Sequence, residues 1–205
     1  MPKQTFFNLP ESKRHNLIAA AEKEFARAPL SEASIANIVK EACIARGSFY
    51  QYFEDKEDAY FFLLNQQMKE RNMQFISILR ENNGDIIESM IEMYHQFLIV
   101  LPDENERDFF KNALLNVTHK MEDSFTSIFE GNSSSEQMKE VTNLINKNHL
   151  NISDDKDVIR IIKIVAAVAF RNFVEKYSGE LSDEEAINIF RMEMNLLKNG
   201  LYKKK

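Results

Sequence analysis

The sequence has few residues that interrupt helices. Its 205 residues include 5 glycines and 4 prolines, where an average composition would give roughly 14 and 10. Tryptophan is absent, whereas methionine (9) and phenylalanine (16) are abundant. Between the few breakers, apolar residues recur with the 3.6-residue period of an amphipathic helix. These features predict an all-α protein with one or two domains.

Cysteine and long apolar runs are scarce as well. A single cysteine, Cys43, cannot form an internal disulfide, which favours a reducing compartment. The N-terminal segment lacks an apolar core of signal-peptide length. The most apolar run, residues 158–170, contains Arg160 and Lys163 and is too short to cross a bilayer. We therefore expect a soluble, cytoplasmic protein that does not enter a membrane.

Sequence patterns typical of enzymes and metal sites are missing. There is no glycine-rich phosphate loop, and the histidines do not have the spacing of metal ligands. These histidines are His15, His95, His119 and His149. We therefore expect no catalytic activity, no metal and no cofactor.

The net charge of −6 is unevenly distributed. Residues 1–56 carry eight Lys or Arg and seven Asp or Glu, whereas the rest of the chain carries 18 and 25. The acidity therefore belongs to the C-terminal part. A local basic surface near the N-terminus is compatible with an acidic protein.

The first third of the chain predicts three short helices. Asn8 and Glu11 have the spacing of a capping box for a helix over residues 10–27. Ser34 is expected to cap a second helix, and a third is expected over residues 45–52. Two short helices joined by a tight turn form a helix-turn-helix, whose second helix enters the DNA major groove.

The expected third helix combines apolar and polar side chains in a pattern typical of a DNA reader. Phe49 and Phe53 are expected to lie in the core. Arg46 can bind guanine or a phosphate, and Gln51 can bind adenine. Tyr50 and Tyr52 could instead be partly buried aromatics, and Lys56 could pair with a neighbouring acid. The side chains expected to face DNA are Ser34, Arg46, Gly47, Ser48, Tyr50, Gln51, Tyr52 and Lys56.

Residues 8–62 resemble the N-terminal domain of the tetracycline-repressor (TetR) family of bacterial transcription regulators. The matching positions are Phe25-Ala26, Ser34, Ile38-Val39, Ala42-Cys43-Ile44, Arg46-Gly47-Ser48, Tyr50-Gln51-Tyr52-Phe53 and Lys56-Glu57. The resemblance implies a helix-turn-helix domain over residues 1–56 and a larger helical ligand-binding and dimerisation domain over residues 57–205.

Three positions depart from the family pattern. Pro29 and Cys43 stand where the family has glycine, and Ala45 replaces the usual Ser or Thr cap of the recognition helix. Cys43 must therefore tolerate a left-handed backbone or shift the turn. It could be a redox-sensing thiol, but we expect a small packed residue because buried cysteine is common.

The last two expected helices favour a homodimer. The helix over residues 154–177 is apolar on several sides, and Ser182 and Glu185 form a capping box for a final amphipathic helix. Two such helices from each subunit could form a four-helix interface. The alternative is that the first of them is simply a central core helix.

The family resemblance also implies a flexible apolar pocket in the C-terminal part; the alternative is that most of its candidate residues are ordinary core side chains. Its candidate ligand-binding residues are Met93, Phe97, Phe110, Met121, Phe125, Phe170 and Phe173. The family resemblance implies a repressor that a small, largely apolar ligand releases from a palindromic DNA operator. The alternative is a helical protein-interaction or ligand-carrier module that does not bind DNA.

Overall fold

The computed structural model describes residues 1–100, 104–116, 136–179 and 181–201, and all regular elements within these ranges are helical. The chain forms two compact units. The N-terminal unit comprises Met1–Gln67 and Pro102–Thr118, and the C-terminal unit comprises Met68–Leu101 and His119–Lys205. The all-α expectation is confirmed. The expected division after residue 56 stays a prediction.

The N-terminal unit has a helix-turn-helix at its centre. Its helices are α1 (Gln4–Phe7), α2 (Glu11–Arg27), α3 (Ile35–Glu41), α4 (Arg46–Tyr52), the first part of α5 (Lys56–Glu81) and α7 (Glu104–Leu115). α2 packs on α3 and α7, and α4 packs on α1 and α3. The core side chains include Leu17, Phe25, Ile38, Phe49, Phe53, Tyr60, Leu64 and Phe109.

Helix α1 was not expected from the sequence. Its Phe6 is only 1% exposed and packs against the rings of Phe53 and Phe62. This burial holds residues 4–7 in a helical turn that ends at Asn8. The expected capping box of Asn8 and Glu11 is therefore wrong, because Asn8 closes α1 and Pro10 precedes α2.

The turn between α3 and α4 is closed by two backbone hydrogen bonds. The N–H of Ile44 donates to the carbonyl of Val39 at 3.0 Å, and that of Cys43 donates to Lys40 at 3.3 Å. This is a Schellman motif, in which Cys43 takes the left-handed backbone with φ 52°. The side chain of Cys43 is exposed, whereas that of Ala42 is buried. The expectation that Cys43 is packed is therefore wrong, because Ala42 fills the interior of the turn.

The C-terminal unit begins with the second part of α5. It continues with α6 (Ile86–His95), a π-helical turn (Gln96–Val100), α8 (Glu136–Leu144), a 3-10 turn (Lys147–His149), α9 (Asp155–Ser178) and α10 (Asp183–Leu201). α6 packs on α9 and α10. Tyr94 of α6 stacks on Phe190 with a centroid distance of 4.2 Å and lies 4.5 Å from Phe173.

Local capping signals begin α9 and α10. Ser182 and Glu185 exchange hydrogen bonds at the start of α10, which confirms the expected capping box. Asp154 and Asp157 form an equivalent box at the start of α9. The hydrogen bonds that Ser182 donates lower the pKa of Glu185. The hydrogen bonds from Arg160 and from the N–H groups of Ser153 and Asp154 lower the pKa of Asp157.

The described ranges contain no helix that is long and apolar enough to span a bilayer. Within those same ranges, no three side chains of His, Cys, Asp or Glu come together as a metal site would require.

Candidate nucleic-acid interface

Helix α4 has one buried and one exposed face. Phe49 and Phe53 are buried, so both pack in the core as expected. Arg46, Gly47, Tyr50 and Gln51 are exposed, whereas Ser48 and Tyr52 are half-buried. The exposed face thus presents a guanidinium, an amide and a phenol on a helix that is held in the core by Phe49 and by Phe53, which directly follows it.

The start of α3 is held by a buried carboxylate of α2. Glu24 is 5% exposed and accepts hydrogen bonds from the Ser34 N–H at 2.8 Å and from the side chains of Arg27 and Asn37. The hydrogen bonds of Arg27, Ser34 and Asn37 hold the pKa of Glu24 below its ordinary value despite burial. The Glu24 carboxylate thereby joins α2 to the first helix of the helix-turn-helix.

Lys56 begins α5 but binds a different part of the N-terminal unit. Its Nζ donates to the carbonyl oxygens of Ser31 at 3.0 Å and Ala33 at 3.1 Å. These carbonyls precede Ser34, which is half-buried at the start of α3. The ammonium therefore binds backbone oxygens of the loop before α3. The sequence suggests either a contact with DNA or an ion pair with a neighbouring acid, and this arrangement is neither of the two. Ser34 occupies the N-cap position, but the expectation that its side chain caps the helix is wrong, because it makes no cap hydrogen bond.

The start and the end of α4 differ in how they are closed. Ala45 precedes the helix with an extended backbone (φ −68°, ψ 145°) and has no side-chain oxygen that could act as a cap. At the other end, Lys3 and Thr5 of the N-terminal segment donate to backbone carbonyls of α4. Sequence reasoning missed these two residues. The phenylalanine pair at positions 6 and 7, which closely follows Lys3 and Thr5, was the available signal.

The residues expected to line a ligand pocket fall in different parts of the structure. Met93, Phe97, Phe170 and Phe173 belong to the C-terminal unit, where the rings of Phe97 and Phe173 lie 4.7 Å apart. Phe110 belongs to the N-terminal unit and is buried. Two further candidates, Met121 and Phe125, lie outside the described residues.

The last two helices expose large apolar side chains. Met192 and Leu196 of α10 are 61% and 69% exposed, and Ile164 of α9 is also exposed. Ala166 and Ala169 are buried within the C-terminal unit, whereas Ala167 is exposed. The central part of α9 therefore contributes both to the core and to an apolar surface.

Comparisons with known proteins agree with this architecture. The model of the bacterial tetR regulatory protein family matches residues 17–59, which include α3, the turn and α4. The model of the tetracyclin repressor-like C-terminal domain matches residues 85–201. A helix-turn-helix unit joined to such a domain defines a DNA-binding transcription regulator.

The C-terminal model alone covers more than half of the chain. The protein belongs to the tetracycline-repressor (TetR) family of bacterial transcriptional regulators.

Individual relatives are similar over different lengths. The HTH-type transcriptional regulator HbdR of Aromatoleum sp. (strain CIB) is 41% identical over 56 residues, which are 27% of this chain and 24% of HbdR. The chain thus matches about a quarter of the length of this curated relative.

Two solved structures share the fold over nearly their whole length. A TetR-family regulator from Pectobacterium atrosepticum is 21% identical, with a TM-score of 0.63 over 95% of this chain and 96% of that one. FadR from Bacillus subtilis in complex with stearoyl-CoA is 17% identical, with a TM-score of 0.58 over 91% and 98%. At these identities the likeness concerns the fold alone.

Proposed function

We propose that this regulator is a cytoplasmic repressor that reads a palindromic operator through α4 and is released by a small, largely apolar effector. The observation that carries the proposal is the exposed face of α4, where Arg46, Gly47, Tyr50 and Gln51 lie opposite the buried Phe49. We propose residues 1–56 as the DNA-binding domain and residues 57–205 as the ligand-binding and dimerisation domain.

Each exposed side chain has a role that follows from its chemistry. Arg46 donates to guanine O6 and N7 or to a phosphate, and Gln51 pairs with adenine N6 and N7. Tyr50 contacts a thymine methyl or a phosphate. Gly47 has no Cβ, so the helix can approach the bases closely.

The partly exposed side chains are proposed to bind the DNA backbone. Ser34 and Ser48 can donate hydroxyl hydrogens to phosphates, and Tyr52 can do so with its phenol. Lys56 contributes positive charge beside the start of α3, because its ammonium is held by the carbonyls of Ser31 and Ala33.

A palindromic operator requires two copies of α4, and we propose that the exposed apolar surface of α9 and α10 joins the two subunits. Ile164, Met192 and Leu196 would be covered in a four-helix interface with the partner's equivalent surface. Replacing Met192 and Leu196 by lysine should convert the dimer to a monomer in sedimentation measurements. An unchanged dimer would exclude this surface.

We propose that the effector binds among apolar side chains of the C-terminal unit, for which Met93, Phe97, Phe170 and Phe173 are the candidates. FadR of Bacillus subtilis, which shares the fold, is in complex with stearoyl-CoA, and the apolar stearoyl chain of that ligand supports an effector with a large apolar part. Helix α5 runs without a break from one unit into the other. A ligand that favours one position of α5 would move α4 away from its groove by population shift. The effector part of the proposal fails if no apolar ligand changes operator affinity at saturation.

The decisive experiment selects duplexes from a random DNA pool and then measures the affinity of the selected site against a scrambled site. We expect a palindrome, and an affinity that falls steeply with salt because phosphate contacts release counterions. Arg46→Ala should remove most of the preference for the selected site. Lys139→Ala, which removes the same charge from an exposed position of α8, is the matched control and should leave the preference unchanged.

Absence of binding to any duplex at low salt would exclude the DNA-reading role of α4. It would favour the second reading of the sequence, a helical interaction or ligand-carrier module.

A further inference from the structure

The C-terminal end of α4 has backbone carbonyls that need partners from elsewhere. A helix leaves its last carbonyls without intrahelical donors. In α4, the carbonyl of Phe49 accepts from the Phe53 N–H at 2.9 Å, which is the last such bond. The next three carbonyls are those of Tyr50, Gln51 and Tyr52, the residues proposed to contact DNA.

The N-terminal segment supplies a donor to each of these carbonyls. Lys3 Nζ donates to the Tyr50 carbonyl at 2.8 Å, and the Lys3 N–H donates to the Tyr52 carbonyl at 2.8 Å. The Thr5 hydroxyl donates to the Gln51 carbonyl between them. The ammonium of Lys3 also lies at the helix end where the macrodipole is negative, which favours a positive charge.

Aromatic packing fixes this segment in place. The ring of Phe6 lies 5.1 Å from that of Phe53 and 5.2 Å from that of Phe62. Phe53 directly follows α4, and Phe62 belongs to α5. Phe6 therefore anchors α1 beside the end of α4, where Lys3 and Thr5 reach the carbonyls.

Helix α4 needs such support more than a longer helix would. It has seven residues, well below the length of about 12 at which isolated helices become even marginally stable. It also begins at Ala45, which offers no side-chain cap. Its orientation therefore depends on contacts with other parts of the N-terminal unit.

We propose that Lys3 and Thr5 are positioning residues of the DNA-reading helix. They cap the end of α4 and set the orientation at which Tyr50 and Gln51 meet the bases, without touching DNA themselves. The inference rests on the proposed function of α4, because a cap can influence DNA reading only if α4 reads DNA.

Thr5→Val tests the cap because it removes the hydroxyl donor and keeps the shape. We expect operator affinity to fall roughly three- to tenfold, the value of one hydrogen bond, whereas affinity for a scrambled duplex at the same salt stays within about twofold. Thr5→Ser, which restores the hydroxyl, should regain operator affinity. Gln4→Ala, at an exposed position of the same helix, should behave as wild type.

Lys3→Met separates positioning from a direct phosphate contact. A cap predicts selective loss of operator affinity and an unchanged salt slope. A phosphate contact predicts a similar loss on every duplex and a slope reduced by about one unit, which would overturn the proposal for Lys3.

The melting temperature and Arg46→Ala are measured in parallel. Equal weakening of both duplexes together with a lower melting temperature would mean that the segment only stabilises the fold, and this would overturn the inference. If the wild type shows no operator preference, the proposed function itself fails. If Arg46→Ala loses the preference but Thr5→Val matches Gln4→Ala, only the positioning role fails.

Discussion

The recognition helix α4 and the C-terminal helix α10 are stabilised in different ways. α10 has 19 residues and begins with a complete capping box made by its own neighbours Ser182 and Glu185. α4 has seven residues, begins at Ala45 without a side-chain cap, and is closed by Lys3 and Thr5 from more than 40 positions away in sequence.

This difference matches the work that each helix is expected to do. A helix that forms part of a subunit core gains from signals that fix it locally. Helix α4, which is proposed to present its exposed face to DNA, is held on the opposite side by the buried Phe49 and Phe53. Its orientation can then be adjusted by distant residues.

The two glycines Gly47 and Gly84 extend the comparison to a tightly packed turn, because Gly47 lies in α4 and Gly84 lies between α5 and α6. A Cβ on Gly84 would lie 2.2 Å from the Leu144 carbonyl oxygen and 2.6 Å from the Asn146 nitrogen, and Gly84 has φ 77°. A Cβ on Gly47 would meet nothing within 4 Å. We expect Gly84→Ala to lower the free energy of unfolding by about 3 kcal/mol or more, as measured by chemical denaturation.

Gly47→Ala should affect operator binding and leave the stability of the fold intact. Alanine favours a helix over glycine by about 0.5–1 kcal/mol, so stability should be unchanged or slightly higher. Operator affinity should fall, because the added methyl group lies on the exposed face of α4. If Gly47→Ala binds the operator as well as wild type, this part of the face does not approach DNA closely.

The buried Glu24 is expected to contribute to the free energy of unfolding by an amount that depends on pH. The hydrogen bond of Arg27, followed by those of Ser34 and Asn37, lowers the pKa of Glu24 from its ordinary value of 4.5. A lowered pKa in the folded state means that Glu24 stabilises the fold above the unfolded pKa. This contribution is lost as pH falls through the lower folded value. The free energy of unfolding should therefore fall as the solution is acidified below about pH 4.5.

Glu24→Gln should cost about 2 kcal/mol near neutral pH, because it weakens several hydrogen bonds to a charged group. It should also make the acid limb of the stability curve shallower than in wild type. The exposed Glu70→Gln, in the middle of α5, serves as control and should change neither. If the free energy of unfolding depends on pH in the same way in wild type and in Glu24→Gln, then the Glu24 carboxylate does not stabilise the fold as proposed.

The sequence predicts those elements whose signals are local. The boundaries of α4 and the capping box of α10 both follow from residues a few positions apart. The burial of Phe49 and Phe53 also follows, because helical periodicity places both on one face. The helix-turn-helix motif combines such local signals, and the family resemblance starts from it.

Features set by tertiary contacts could not be predicted in the same way. Helix α1 depends on Phe6 meeting Phe53 and Phe62, which lie about 50 residues further along the chain. Lys56 pairs with carbonyls of a preceding loop, which no charge pattern indicates. The exposure of Cys43 follows from Ala42 occupying the interior of the turn.

Small effects on stability are expected from changing the first residues that cap, or fail to cap, α4 and α10. Ala45→Ser would add a side-chain oxygen where the backbone already has the extended conformation of an N-cap, which should raise the free energy of unfolding by about 0.5–1 kcal/mol. Ser182→Ala should lower it by about 1 kcal/mol, because the Glu185 N–H loses its acceptor. Chemical denaturation measures both changes.

The two variants Ala45→Ser and Ser182→Ala should also differ in their affinity for the operator. Ser182→Ala should leave operator affinity unchanged, because the proposed DNA-reading role belongs to α4 and not to α10. Ala45→Ser should raise it, because a firmer start of α4 reduces the conformational freedom that is lost on binding, and the new hydroxyl can donate to a phosphate. If Ala45→Ser stabilises the fold and weakens operator binding, then the uncapped start of α4 is itself a requirement for DNA recognition.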